Sequence, residues 1–187
     1  MKYFLILITL ILFPSVTLAD NSQQKIIERF QYSLFCQGVF ANALWHKGIK
    51  ERPVIYQNYH GKAASLVFVK IKKPVFKYLK KNNKSISDDV WNSKIKPEFN
   101  RGQSIIDKFM IENDVSIIPS FEENNNANNP SKISIVEGSE PSEMKKCRDK
   151  YQISGDELLT TGVFNMKISK ERVNEIVNWH INGFPDE

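Results

Sequence analysis

Hydrophobic positions are densest between Gln23 and Lys47, where Ile27, Phe30, Leu34, Gly38, Ala41 and Trp45 recur at helical spacing. Tyr32, Cys36, Val39, Phe40 and Ala43 spread over the flank and rear of the same helix. A helix apolar over that much of its surface needs neighbours on several sides, so this stretch reads as the central helix of a small bundle. Gly38 and Ala41 mark where another helix can approach closely.

Gly48 supplies a stop, and Pro53 suits the first position of a second helix. Tyr56, His60, Ala63, Val67 and Ile71 continue at helical spacing. Within this stretch the run SLVFVKI (65–71) also scores as a strand, because β-branched and aromatic residues gather there, but helix is the preferred reading. Pro74 is expected to end or kink the helix, with Val75 to Lys81 as a further helical piece. A third helical region opens with Ser87 as N-cap and Asp88 and Asp89 in the first turn, where carboxylates favour the positive end of the helix dipole. Its stripe of Val90, Trp91 and Ile95 meets Pro97 and resumes with Phe99, Ile105, Ile106, Phe109 and Met110, predicting one kinked helix or two short ones; Gly102 adds to the doubt about continuity.

From Val115 to Glu143 the helical period disappears. Asparagines, prolines and two alternating pieces, Ser116 to Phe121 and Lys132 to Val136, predict a surface excursion that is either irregular or a β-hairpin with Asn124 to Asn129 at its tip. Helix returns at Pro141, with Met144, Cys147 and Tyr151 on one face, and a short apolar stretch holds Leu158, Leu159, Val163 and Phe164. The last helix carries the clearest local signature. Ser169 is its N-cap, Ile168 and Val173 occupy the hydrophobic-staple positions, and Gly183 then Pro185 close it. Its buried stripe is Val173, Ile176, Val177, His180 and Ile181. The expected fold is therefore mainly α, a disulfide-tied bundle of about four or five helices forming one domain over 20–187; α+β is the alternative, should SLVFVKI and the pieces of 115–143 pair as strands.

Residues 1–19 change the picture of where the chain resides. Lys2, the apolar run Tyr3 to Phe13, Pro14 and the small-residue end Thr17-Leu18-Ala19 have the layout of a signal peptide cleaved before Asp20. The run is shorter than the roughly 20 residues of a bilayer-spanning helix. Removing the leader leaves 168 residues with 25 basic and 21 acidic side chains, a mild excess that does not argue for nucleic acid. The mature chain is expected to be periplasmic or secreted, with no transmembrane segment. In such a compartment Cys36 and Cys147 form a disulfide.

Candidate chemistry is sparse. His46, His60 and His180 could close a metal site for a metal-assisted enzyme, yet none is paired at i, i+4 and no HExxH is present. GxSxG, GxxxxGK and GxGxxG are absent, so no catalytic residue and no cofactor is assigned. The most biased stretch is 70–84, KIKKPVFKYLKKNNK, with seven lysines among fifteen positions and no acid. Lys70, Lys72, Lys73, Lys77, Lys80, Lys81 and Lys84 are the candidate partner-binding residues, with a protein partner or an anionic envelope surface as what they meet. The function these features favour is an exported, non-catalytic binding protein: an inhibitor, an immunity-type protein or an envelope-associated factor.

Overall fold

The structure, a computed structural model, describes residues 17–46, 54–113, 120–126, 129–136, 140–159 and 167–187. It is mainly helical. Helix α1 (Thr17–Trp45) is followed by α2 (Val54–Ala64), which runs through a π-helical turn at Ser65–Val69 directly into α3 (Lys70–Lys81). A short α4 (Asp88–Val90) passes through a second π turn at Trp91–Ile95 into α5 (Lys96–Asn113). Strands β1 (Ser120–Asn126) and β2 (Asn129–Val136) form an antiparallel hairpin, and α6 (Ser142–Lys150), α7 (Gly155–Leu158) and α8 (Lys170–Asn182) complete the chain.

Helix α1 is buried almost all round, from Ile26 to Ala43, as its wide apolar surface requires. It begins earlier than the pattern suggested, at Thr17, and its last residue, Trp45, is 67 % exposed instead of joining the buried stripe. Helices α2 and α3 run antiparallel to it: Ser33 donates its hydroxyl proton to the Val67 carbonyl, the Phe30 ring stacks on Phe76 at 5.5 Å, and Lys84 Nζ reaches Ser22 Oγ at 2.5 Å. Helix α5 runs parallel to α1, with Gln31 donating to the Lys94 carbonyl (3.0 Å), and Asn42 donating to the Gln103 carbonyl (2.8 Å) and to Asp107 Oδ1 (3.1 Å). The three helical runs are thus stacked up, down and up.

SLVFVKI is helical, because its apolar residues are needed on one flank: Leu66, Val67, Phe68 and Ile71 are all buried. Pro74 does not end α3: it lies inside the helix as its fifth residue, and the helix runs on to Lys81. Pro97 also sits within a helical run. The carbonyl its ring would crowd belongs to Ser93, inside the second π turn, so the helical run is continuous. Gly102 is a packing residue, not a break. A Cβ at Gly38 would overlap the Phe99 carbonyl and a Cβ at Gly102 would overlap the Phe35 carbonyl, so the two glycines together let the backbones of α1 and α5 touch.

The Ser87 and Ser169 caps form, accepting from Val90 N (3.2 Å) and Arg172 N (3.1 Å). The hairpin forms too, but Asn124 to Asn126 lie within β1 instead of at the tip, with Asn126 opposite Asn129. Asparagine suggested a turn through its weak strand preference; backbone pairing extends the ladder past it. Pro53, Val115 to Pro119, Val163 and Phe164 lie outside the described residues. Cys36 and Cys147, both fully buried, are bonded with Cα atoms 5.6 Å apart, tying α6 to the middle of α1. Among the described residues no helix is long and apolar enough to cross a membrane.

Candidate docking surface and the buried polar chain

Helix α3 sorts its residues by face. Ile71, Val75 and Leu79, spaced by four, are buried in the core, and Phe76 packs beside them. Lys70, Lys73, Lys77, Lys80 and Lys81 occupy the opposite face and are exposed, with Val69 (55 %) and Tyr78 (37 %) at its margins. Among the described residues no carboxylate pairs with any of the five. Ile71, Val75 and Leu79 point inward, so the outer face presents mainly charge, with Val69 and Tyr78 as its exposed apolar side chains.

The other two candidate lysines are engaged elsewhere. Lys72 Nζ lies 4.3 Å from the Trp91 ring centroid, with Phe68 and Phe76 at 5.6 and 5.7 Å, so its charge is held against three aromatic rings. Phe68 and Phe76, each four residues from Lys72, were visible in the sequence; Trp91 enters only through the fold. Lys84, half-buried, bonds Ser22 and closes α3 against the start of α1.

The histidines are dispersed. His46 Nε2 meets Asp107 Oδ1 at 3.1 Å at the far end of α1. His60 is buried among Phe40 and Tyr59, and its Nδ1 has no hydrogen-bond partner among the described residues. Burial pushes its pKa down to about 3. His180 is fully buried, and burial, aided by the nearby Arg29 charge, lowers it to about 4. Among the described residues no three His, Cys, Asp or Glu side chains gather closely enough to hold a metal.

His180 instead belongs to a buried polar chain that the sequence did not disclose. Its Nδ1 lies 2.9 Å from the Ile176 carbonyl, which can only accept, so Nδ1 carries the proton. Its Nε2 therefore accepts from Tyr151 O–H at 3.2 Å. Arg29 donates to the His180 carbonyl (3.2 Å), supplying a cation at the C-terminal end of α8, and pairs with Glu187 at 2.6 Å. A part-buried pair, Arg148 with Glu140 at 2.6 Å, ties the last turn of α6 to the residue two positions ahead of the helix, and burial raises the Glu140 carboxyl despite the guanidinium. Two open clefts flank Lys150 and the 184–187 segment, but their charges are of both signs and pair with one another, as Arg29 does with Glu187 and Lys150 with Asp186 (2.6 Å).

Compared with known protein families, characterised proteins and solved structures, the chain shows no match.

Proposed function

We propose that this chain is an exported, non-catalytic binding protein that docks on an anionic phospholipid surface through the outer face of α3. The observation that carries this reading is the sorting of that helix: five exposed lysines on one face, unopposed by carboxylates among the described residues, with Ile71, Val75 and Leu79 spent on the core. A buried disulfide and the leader-like residues 1–19 support an extracytoplasmic setting, where lipid headgroups are available. Lysines are compact point charges suited to many phosphate geometries and not to one rigid partner. Each contributes roughly 1 kcal/mol near an anionic membrane, so five together give about 5 kcal/mol, whereas one alone would not hold the protein.

The test is vesicle co-sedimentation of the mature chain and of a variant with Lys70, Lys73, Lys77, Lys80 and Lys81 changed to Gln. Lys72 stays, because it serves the aromatic cluster. The mature chain should sediment with anionic but not neutral vesicles at low salt and be released as salt shortens the screening length to about 8 Å. Equal sedimentation of parent and variant on anionic vesicles, with both correctly folded, would sink the proposal.

A further inference from the structure

The lysine face and the start of α1 share one end of the molecule. Lys84, three residues beyond Lys81, places its Nζ 2.5 Å from Ser22 Oγ, and Gln23 Nε2 donates to the Ser85 carbonyl at 3.0 Å. These two bonds fasten the C-terminal end of α3 beside the N-terminal end of α1. In sequence, Ser22 is only nine positions from Phe13, the last residue of the leader's apolar run. The opposite end of the bundle is equally defined. His46 and Asp107 meet there, roughly 36 Å along α1 from Ser22 at 1.5 Å per residue.

We infer that the lysine face is oriented by the leader: the leaflet that residues 3–13 enter during export is the anionic surface that α3 meets. A chain held by its leader presents Lys80 and Lys81 to that leaflet first, at the end where α1 emerges, and Lys73 and Lys77 follow as α3 settles. The His46–Asp107 end, with Lys108 beside it, faces away. Tether and charge then act as two signals on one membrane, an arrangement that gives stable attachment where either alone gives weak, reversible attachment. Once the leader is removed, the lysine face alone retains the protein, and it does so in a salt-dependent way. This inference rests on the docking function proposed above and adds its orientation and its target leaflet.

Lysine footprinting with acetic anhydride tests it on two chains, the mature protein and the full chain with Ala19→Gln, which keeps residues 1–19 attached. Both are acetylated free in buffer, the full chain with detergent, and then on vesicles containing anionic phospholipid, and each lysine is read by mass spectrometry. Lys73, Lys77, Lys80 and Lys81 should react at least fivefold more slowly on vesicles in both chains, while Lys108 changes by less than twofold. Protection of these lysines in the mature chain but not in the leader-bearing chain, or protection of Lys108 in the latter, would overturn the orientation and leave the docking function standing. If the mature chain neither binds vesicles nor shows protection on α3, the docking function itself fails and the orientation goes with it.

Discussion

His180 joins several elements through one imidazole, and its burial makes that role depend on pH. Burial holds its pKa down to about 4 in the folded state, below the 6.5 of a free imidazole, so between these values the unfolded chain binds the extra proton. The contribution is therefore fully present above pH 6.5, falls as pH drops from 6.5 to 4, and is gone below. His60 acts with the same sign, with its window reaching to about 3. Denaturant titrations of a His180→Gln variant between pH 6.5 and 4.5 should show a slope shallower than the parent's by up to one proton's worth, about 1.4 kcal/mol per pH unit. An unchanged slope would mean that His180 is not the neutral acceptor of Tyr151. At another single position, Ser169→Ala should cost about 1 kcal/mol by leaving Arg172 N without its cap. Ser169 was legible because capping is local, needing only a serine one position before a helical run. His180 was legible only as a member of an apolar stripe. Its partners Tyr151 and Arg29 lie 29 and 151 positions away, and no spacing rule spans such distances.

Helix pairing is governed by what each element can bring close. The contact of α1 with α5 depends on Gly38 and Gly102, each meeting the other helix's backbone where a methyl group has no room. Gly102→Ala should lower stability by roughly 1 to 3 kcal/mol, since the methyl collides with a carbonyl and not with a flexible side chain that could yield. A variant as stable as the parent in chemical denaturation would show that the two helices are farther apart. The helix end at Tyr151 offers the converse case. Gln152 has φ 50°, and Ile153 N bonds the Arg148 carbonyl (2.9 Å) while Gln152 N bonds that of Asp149 (3.0 Å), a left-handed cap ordinarily filled by glycine. Gln152→Gly should raise stability by up to about 1 kcal/mol, relieving the left-handed strain less the entropy glycine loses on folding. A fall in stability would put the Gln152 side chain in a role beyond the cap. Element types were mostly readable from periodicity, and the π turns were not. They lie inside continuous helical runs, with buried residues on either side, where periodicity alone does not register the extra residue in the turn.

For the whole molecule the disulfide is the longest-range covalent constraint, joining positions 111 apart. On the chain-entropy account, closing a loop of that size contributes about 4 to 5 kcal/mol. Reduced protein should therefore melt at a markedly lower temperature, and unreduced protein unfolded in denaturant should show no titratable thiol; two thiols per chain would refute the bond. Because both sulfur atoms lie in the core, reductant should act at the rate of unfolding, and the melting difference should appear only after the chain has been opened in its presence.

The sequence by itself determined which segments are helical, that α1 is central, where two helices begin, and that Cys36 pairs with Cys147, because periodicity, capping and the parity of the two cysteines are local or compositional properties. Tertiary structure alone decided which of seven lysines stay free, since Lys72 is drawn to Trp91 and Lys84 to Ser22. It also decided that His60 and His180 lie in the core and His46 at a helix end, apart from one another, and that the C-terminal end of α3 lies beside the start of α1. Such outcomes depend on the packing of residues remote in sequence, where the partner and not the residue type sets what a side chain does.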